Sequence, residues 1–461
     1  MRLGALLTAG AAAAALTLAA VPSIAQEPTP AAQAETVRFS PAERPDPAQV
    51  LAVLERANAA QIAAMRAEPL PLSTGGALDS ISSNWVAATF YIGASRLQRV
   101  TGDEDTLAFL SAAAEHYNYA VRGARAPRFM LNADDLTIGD LYQDLYIRRH
   151  QPGIIMPLDQ RLRWTLPHLS VEPAPPRLVW WWVDALYMAP AVYGRQSAIT
   201  GDPAYIEAMD VQWWRTHDRM WDAEESLYYR DERFINRRSD SGAKIMWSRG
   251  NGWVIGGLTR VLEAMPEDFP TRDRYVETFQ AMSARLIELQ RPDGLWPTSL
   301  LDAEAFPEPE TSGSVFFTYA LAWGINHGLL DRETYEPHVL RGWAGLTDQV
   351  LPSGLLGAVQ KTGDQPVPTA PTDTGLYGTG TFLLAGLEIM TLSQPVQPLP
   401  EPIPAKDAVD THSYAPPPPG PAPTTEQERI EAERRAEEMA TIAQLNYDPE
   451  DPEAPAPEFQ D

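Results

Sequence analysis

One carboxylate stands out by its company. Asp184 lies inside Val179-Trp180-Trp181-Trp182-Val183-Asp184-Ala185-Leu186-Tyr187-Met188, a run that is otherwise apolar. Burial disfavours the ionised carboxylate, so such a group should hold its proton to higher pH than usual. A carboxylic acid that is still protonated near neutrality can act as a general acid. A second acidic source is Asn132-Ala133-Asp134-Asp135-Leu136. Either aspartate could serve beside Asp184, or the nearer one could simply cap a helix. The third cluster is Trp247-Ser248-Arg249-Gly250-Asn251-Gly252-Trp253. Its glycines let backbone approach a ligand, and Arg249 offers a planar fork to a carboxylate or an internal partner to an aspartate. Glu310-Thr311-Ser312-Gly313-Ser314 and Tyr377-Gly378-Thr379-Gly380 complete the set.

Other chemistries find little support. There is no cysteine, the seven histidines include no His-x-x-x-His pair, and no phosphate loop or Gly-x-Ser-x-Gly elbow occurs. The expectation is therefore no cofactor and no metal site. Carboxylates, an arginine and many aromatic rings (13 Trp and 16 Tyr) form a carbohydrate-type constellation. A formal net charge of −25 argues against nucleic acid as a partner, and an anionic substrate must be caught by a local basic group.

The elements that must position these residues recur along the chain. An aromatic- or glycine-rich start leads into an apolar helix, then a turn, then a second helix. The copies are Trp85 to Val100 with Leu107 to Val121; Asp135 through Gly139 to Arg149; Trp182 to Ala198 with Tyr205 to Trp214; Gly252 to Met265 with Thr271 to Leu289; Ser314 to Asn326 with Tyr335 to Val350; and Gly378 to Met390. A further helix opens at Asp46-Pro47. The first helices are apolar nearly all round and belong inside; the second are one-faced and belong outside. Six repeats predict an all-α (α/α)6 barrel over residues 46–392, with the chemistry-bearing starts gathered at one end. A solenoid or plain bundle is the alternative.

The ends read differently. Residues 1–25 have the basic start, apolar stretch and small residues of a signal peptide cleaved after Ala25, which predicts a periplasmic or secreted protein with no stable membrane insertion. Residues 26–45 are Pro-rich. Residues 393–461 carry about a third of the 43 prolines and a strong acidic excess, and read as a linker with an exposed charged helix over 425–443.

These phrases together resemble the unsaturated glycuronyl hydrolases, in particular the unsaturated rhamnogalacturonyl hydrolases of glycoside hydrolase family 105, a sister of family 88. The resemblance is carried by Trp182 to Met188, Asp134-Asp135 with Gly139, the 247–253 loop, Glu310 to Phe317, Ala322 to Asn326 and Tyr377 to Gly380. It implies an (α/α)6 barrel acting on an oligosaccharide that ends in a 4,5-unsaturated uronate. An acid protonates C4, water adds at C5, and the hemiketal collapses to release the next sugar. The resemblance implies Asp184 as the acid and a second carboxylate at the Asp134-Asp135 pair, with Asp135 preferred. The implied substrate contacts are Trp182, Met188, Arg230, Trp247, Arg249, Asn251, Trp253 and Tyr377. Some members of the family carry a substrate-contacting histidine before the fourth inner helix; here that stretch reads Leu227-Tyr228-Tyr229-Arg230-Asp231, with Arg230 in its place. Rhamnose is the default leaving sugar. An inverting glycosidase, a sugar epimerase and a glycan-binding protein are the competing functions.

Overall fold

The computed structural model describes residues 38–67, 70–72, 76–78, 82–122, 131–170 and 178–395. The proposed signal peptide and the 425–443 helix lie outside these residues. Among the described residues, no helix is long and apolar enough to cross a membrane.

The helices are α1 (Pro47–Ala67), α2 (Trp85–Thr101), α3 (Glu104–His116), α4 (Ala133–Leu136), α5 (Gly139–Arg149), α6 (Pro152–Ser170), α7 (Ala185–Met188), α8 (Pro190–Thr200), α9 (Ala204–Met220), α10 (Glu232–Ile235), α11 (Ser248–Ala264), α12 (Arg272–Glu288), α13 (Ser314–Asn326), α14 (Arg332–Asp348) and α15 (Leu376–Thr391). Two small antiparallel hairpins interrupt them: β1 (Leu70–Leu72) with β2 (Gly76–Leu78), and β3 (Trp221–Asp222) with β4 (Leu227–Tyr228).

Six helices close a ring. α2 packs on α5, α5 on α8, α8 on α11, α11 on α13, α13 on α15, and α15 returns to α2. Outside it, α1, α3, α6, α9, α12 and α14 each pack against the ring. This is an (α/α)6 barrel. Helix composition explains the layering: every residue of α13 is buried, whereas α12 buries only Tyr275, Thr278, Phe279, Met282, Ser283 and Leu286, one stripe at helical spacing. The ring closes where α2 crosses α15. A Cβ at Gly93 would stand 2.0 Å from the Gly380 carbonyl oxygen, and one at Gly380 would stand 2.3 Å from that of Thr89. Only glycine permits that approach.

Three of the hairpin turns share a glycine–aspartate construction. In Thr101-Gly102-Asp103, Gly102 ends α2 in the left-handed region (φ 71°) and Asp103 caps α3 through the amide of Thr106. Gly201 with Asp202 repeats this before α9, and Gly328 with Asp331 repeats it before α14. One helix departs from the sequence reading: α6 supplies the outer partner of α5 although Pro157 and Pro167 lie inside it. Proline normally argues against a helix interior, and here packing against α5 and α9 overrides it.

The middle of the barrel is ionic. Asp140 and Asp144, one turn apart on α5, are both buried. Asp144 accepts from Ser95 Oγ (2.6 Å), Arg96 Nη1 (3.0 Å), Arg99 and Arg195, and Asp140 accepts from Arg260 Nη2 (2.7 Å). Burial alone would raise both carboxyls, but the surrounding guanidinium groups hold them well below the usual range. The network ties α2, α5, α8 and α11 together.

Candidate active site

Two inner helices start with a break, and those breaks carry the acids. α4 is a single turn separated from α5 by Thr137-Ile138, and α7 is a single turn separated from α8 by Ala189, with Pro190 removing a backbone donor. α4 and α7 pack against one another at the start-end of the ring. Asp184 precedes α7 and makes no capping bond, so its carboxylate is free for other partners. It keeps 8% exposure, enough to meet a ligand. Alongside runs the segment after β4: the amide of Val183 donates to the Arg230 carbonyl (2.9 Å), and Trp182 forms an antiparallel bridge with Asp231. This backbone pairing lays Arg230 across the acid, with Nε donating to Asp184 Oδ2 at 3.0 Å and Nη1 to Asp231 Oδ2 at 2.8 Å.

Of the two neighbouring aspartates, Asp134 feels the charge of Asp184 and Asp135 does not. Burial, then the charges of Asp184 and Asp135, push Asp134 up to about 7, against the opposing pull of Arg230 and a hydrogen bond from Trp182. Asp184 is also raised by burial, with Arg230 and Arg249 pulling the other way. Asp135 is raised by burial too, but its charged neighbours are Arg122 and Arg161. Electrostatics thus favour Asp134, the neighbour of the expected Asp135, as the candidate partner of Asp184. Consecutive side chains on a helical turn point about 100° apart, so only one of the pair can face α7.

Trp247 and the first turns of α11 form the next part of the site. Arg249 is 1% exposed and already committed: Nη1 donates to the Gln360 carbonyl (2.8 Å) and Ser312 Oγ (3.2 Å), and Nη2 to the carbonyls of Lys361 (3.0 Å) and Gly363 (3.4 Å). Its guanidinium lies 4.4 Å from the Trp247 ring centre and 5.0 Å from that of Tyr377. Neither a fork open to a uronate nor an ion pair with an aspartate is what this group presents; it clamps the 360–363 loop. Glu310, fully buried, holds this arrangement from the other side by accepting from the amides of Ser312 (2.6 Å) and Gly313 (2.9 Å) and from the Ser312 hydroxyl.

Asn251 likewise serves the backbone. It accepts from the Tyr228 amide (2.8 Å) and donates to the Tyr228 and Trp247 carbonyls (both 3.0 Å), fixing β4 and thereby Arg230. Trp247 donates to Gln360 Oε1 (2.8 Å), Tyr377 donates to the Gln360 carbonyl, and Met188 lies in the core. Trp253 is buried among Trp85, Tyr187, Phe316 and Tyr377. Of the expected substrate contacts, Arg230 keeps some exposed surface beside Asp184, Trp182 is 8% exposed, and the other six are buried. Sequence reasoning missed Gln360, whose side chain and carbonyl latch the loop. It also took Trp85 for a helix start only, whereas its ring stacks on Tyr377 at 5.6 Å.

Comparisons with known proteins converge. Residues 64–393 match the family model described as Glycosyl Hydrolase Family 88. The chain is 36% identical over 328 residues to the unsaturated 3S-rhamnoglycuronyl hydrolase of Formosa agariphila, covering 68% of this chain and 85% of that one. It is 34% identical over 322 residues to the protein of the same name from Alteromonas sp. (strain LOR), covering 66% and 77%. A solved structure of a glycosyl hydrolase family 88 protein from Bacteroides vulgatus superposes with a TM-score of 0.68 at 28% identity, covering 76% of this chain and all of that one.

Proposed function

Because the chain belongs to glycosyl hydrolase family 88, we propose that it removes a 4,5-unsaturated uronate from the non-reducing end of lyase-generated oligosaccharides. The protein is a glycoside hydrolase of the unsaturated glycuronyl type. The finer reading is that rhamnose is the leaving sugar, which the names of the Formosa and Alteromonas relatives favour. The observation that carries the chemistry is the Asp134–Asp184 pair beside Arg230.

The mechanism follows from that pair. Two neighbouring carboxyls cannot both ionise easily, so near neutrality they hold one proton between them. Asp184, the acid of the Trp-x-Asp phrase, delivers it to C4. The electron pair of C4=C5 forms the new C–H bond and leaves a cation at C5, shared with the ring oxygen. Water adds at C5, and its proton returns to the carboxylate pair. The hemiketal opens and the released C1 hemiacetal expels the next sugar. Arg230 lies where it can balance the uronate charge and keep the dianionic state of the pair from becoming too costly. We also propose that residues 1–25 direct export and are removed.

Lyase-generated disaccharides from rhamnogalacturonan, ulvan and glycosaminoglycans provide the test. Absorbance of the conjugated double bond should vanish in step with release of the second sugar. Turnover of saturated analogues, with none of the unsaturated ones, would overturn this reading.

A further inference from the structure

The exposed Trp181 is the unusual tryptophan of this site. Of the large apolar side chains beside Asp184 it alone is strongly exposed, at 37%, while Trp180 and Trp182 on either side are buried. A lone exposed indole on a turn can be incidental, but this one is held. Its ring centre lies 5.0 Å from that of Trp182. The Arg230 guanidinium lies 5.6 Å from its ring centre while donating to Asp184 at 3.0 Å. One guanidinium thus separates the proposed acid from an open aromatic face. The backbone pairing of Trp182 with Asp231 and of Val183 with Arg230 fixes that relation.

We propose that Trp181 is the platform for the leaving sugar, stacking the C–H face of the pyranose attached to the unsaturated uronate. This rests on the hydrolase reading above. Sugar rings present apolar C–H groups on one face, and an indole is the side chain best suited to cover them. A 6-deoxy sugar such as rhamnose adds a methyl group to that face. The uronate, held at Asp184 and Arg230, takes no part in the stacking, so Trp181 recognises the aglycone and leaves the double bond to the carboxylate pair.

The experiment compares two substrates with the same unsaturated uronate: its rhamnose disaccharide and its methyl glycoside, which has no second ring. In Trp181→Ala, kcat/KM for the disaccharide should fall about tenfold relative to that for the methyl glycoside, chiefly through KM. Trp181→Phe should retain most of the wild-type ratio, and Trp181→Leu, which keeps apolar area without the π face, should not. An unchanged ratio in Trp181→Ala and Trp181→Leu would overturn the subsite while leaving the hydrolase reading standing. If the wild-type enzyme turned over neither glycoside, the hydrolase reading would fall and the subsite with it.

Discussion

Arg230 donates its Nε proton to Asp184 Oδ2 at 3.0 Å, across 46 residues of sequence. One cation thus opposes the burial that raises both Asp184 and Asp134. Replacing it by Arg230→Met should therefore raise the pair further and move the alkaline limb of the kcat/KM profile to higher pH. It should also weaken binding of the charged substrate. Arg230→Lys should restore the charge but not the full affinity, because the fork that joins Asp184 to Asp231 is lost. A pH profile that does not move in Arg230→Met would separate Arg230 from the acid pair.

The pair itself sets the pH dependence. Asp134 is pushed up to about 7, and the reaction needs the proton, so kcat/KM should fall as pH rises through about 7. Stability has a matching sign. Between the unfolded and folded values the folded state binds the extra proton, so stability falls as pH rises over that window. Asp134→Asn cannot contribute to that loss. Its melting temperature should gain on wild type between pH 5 and pH 8, while its turnover is poor. Parallel melting curves across that range would contradict the placement of Asp134.

Asp184→Asn should fold, bind substrate and lose about 10²–10⁴-fold in kcat. Melting temperature and substrate binding, measured beside turnover, establish that the loss is chemical. Near-wild-type turnover in the folded variant would remove Asp184 from the acid role.

Arg249→Ala should act mainly on stability. It would strip a charged donor from buried carbonyls of Gln360 and Lys361 and from Ser312, costing about 2–4 kcal/mol by thermal or urea unfolding. Arg249→Lys should recover little, since one ammonium cannot span those acceptors. A selective rise in KM at unchanged melting temperature would instead return Arg249 to the uronate.

At the ring closure, Gly380→Ala should destabilise by about 1–3 kcal/mol or more, because the added Cβ meets the Thr89 carbonyl oxygen rather than a yielding side chain. A variant as stable as wild type in urea would show that α2 and α15 can separate freely.

The barrel was legible in the sequence because its two helix types differ in periodicity: Ser314 to Asn326 is apolar all round, Arg272 to Glu288 is one-sided. Three of the turns were legible because a Gly is followed within three residues by an Asp. Helix α6 was not, since Pro157 and Pro167 argue locally against what tertiary packing imposes. Asp184 was singled out by its apolar neighbours, but choosing between Asp134 and Asp135 requires the rotation of a one-turn helix that no pattern records. Arg249, Asn251 and Tyr377 looked like ligand contacts because polar groups near glycines are typical of binding loops. Arg249 and Tyr377 bond the Gln360 carbonyl from 111 and 17 residues away, and Asn251 bonds Tyr228 from 23 away; such pairings leave no local signal. The Asp140–Asp144 network went unread for the same reason.

The most direct test of the account is to run the reaction in heavy water and locate the label. Protonation of C4 by the carboxylate pair places one solvent deuteron on carbon in the enzymatic step. Product sampled early, before exchange beside the keto group, should carry deuterium at C4, and the saturated analogue should be inert. Efficient cleavage of the saturated analogue, with no early deuterium at C4, would contradict hydration and point to direct protonation of the glycosidic oxygen.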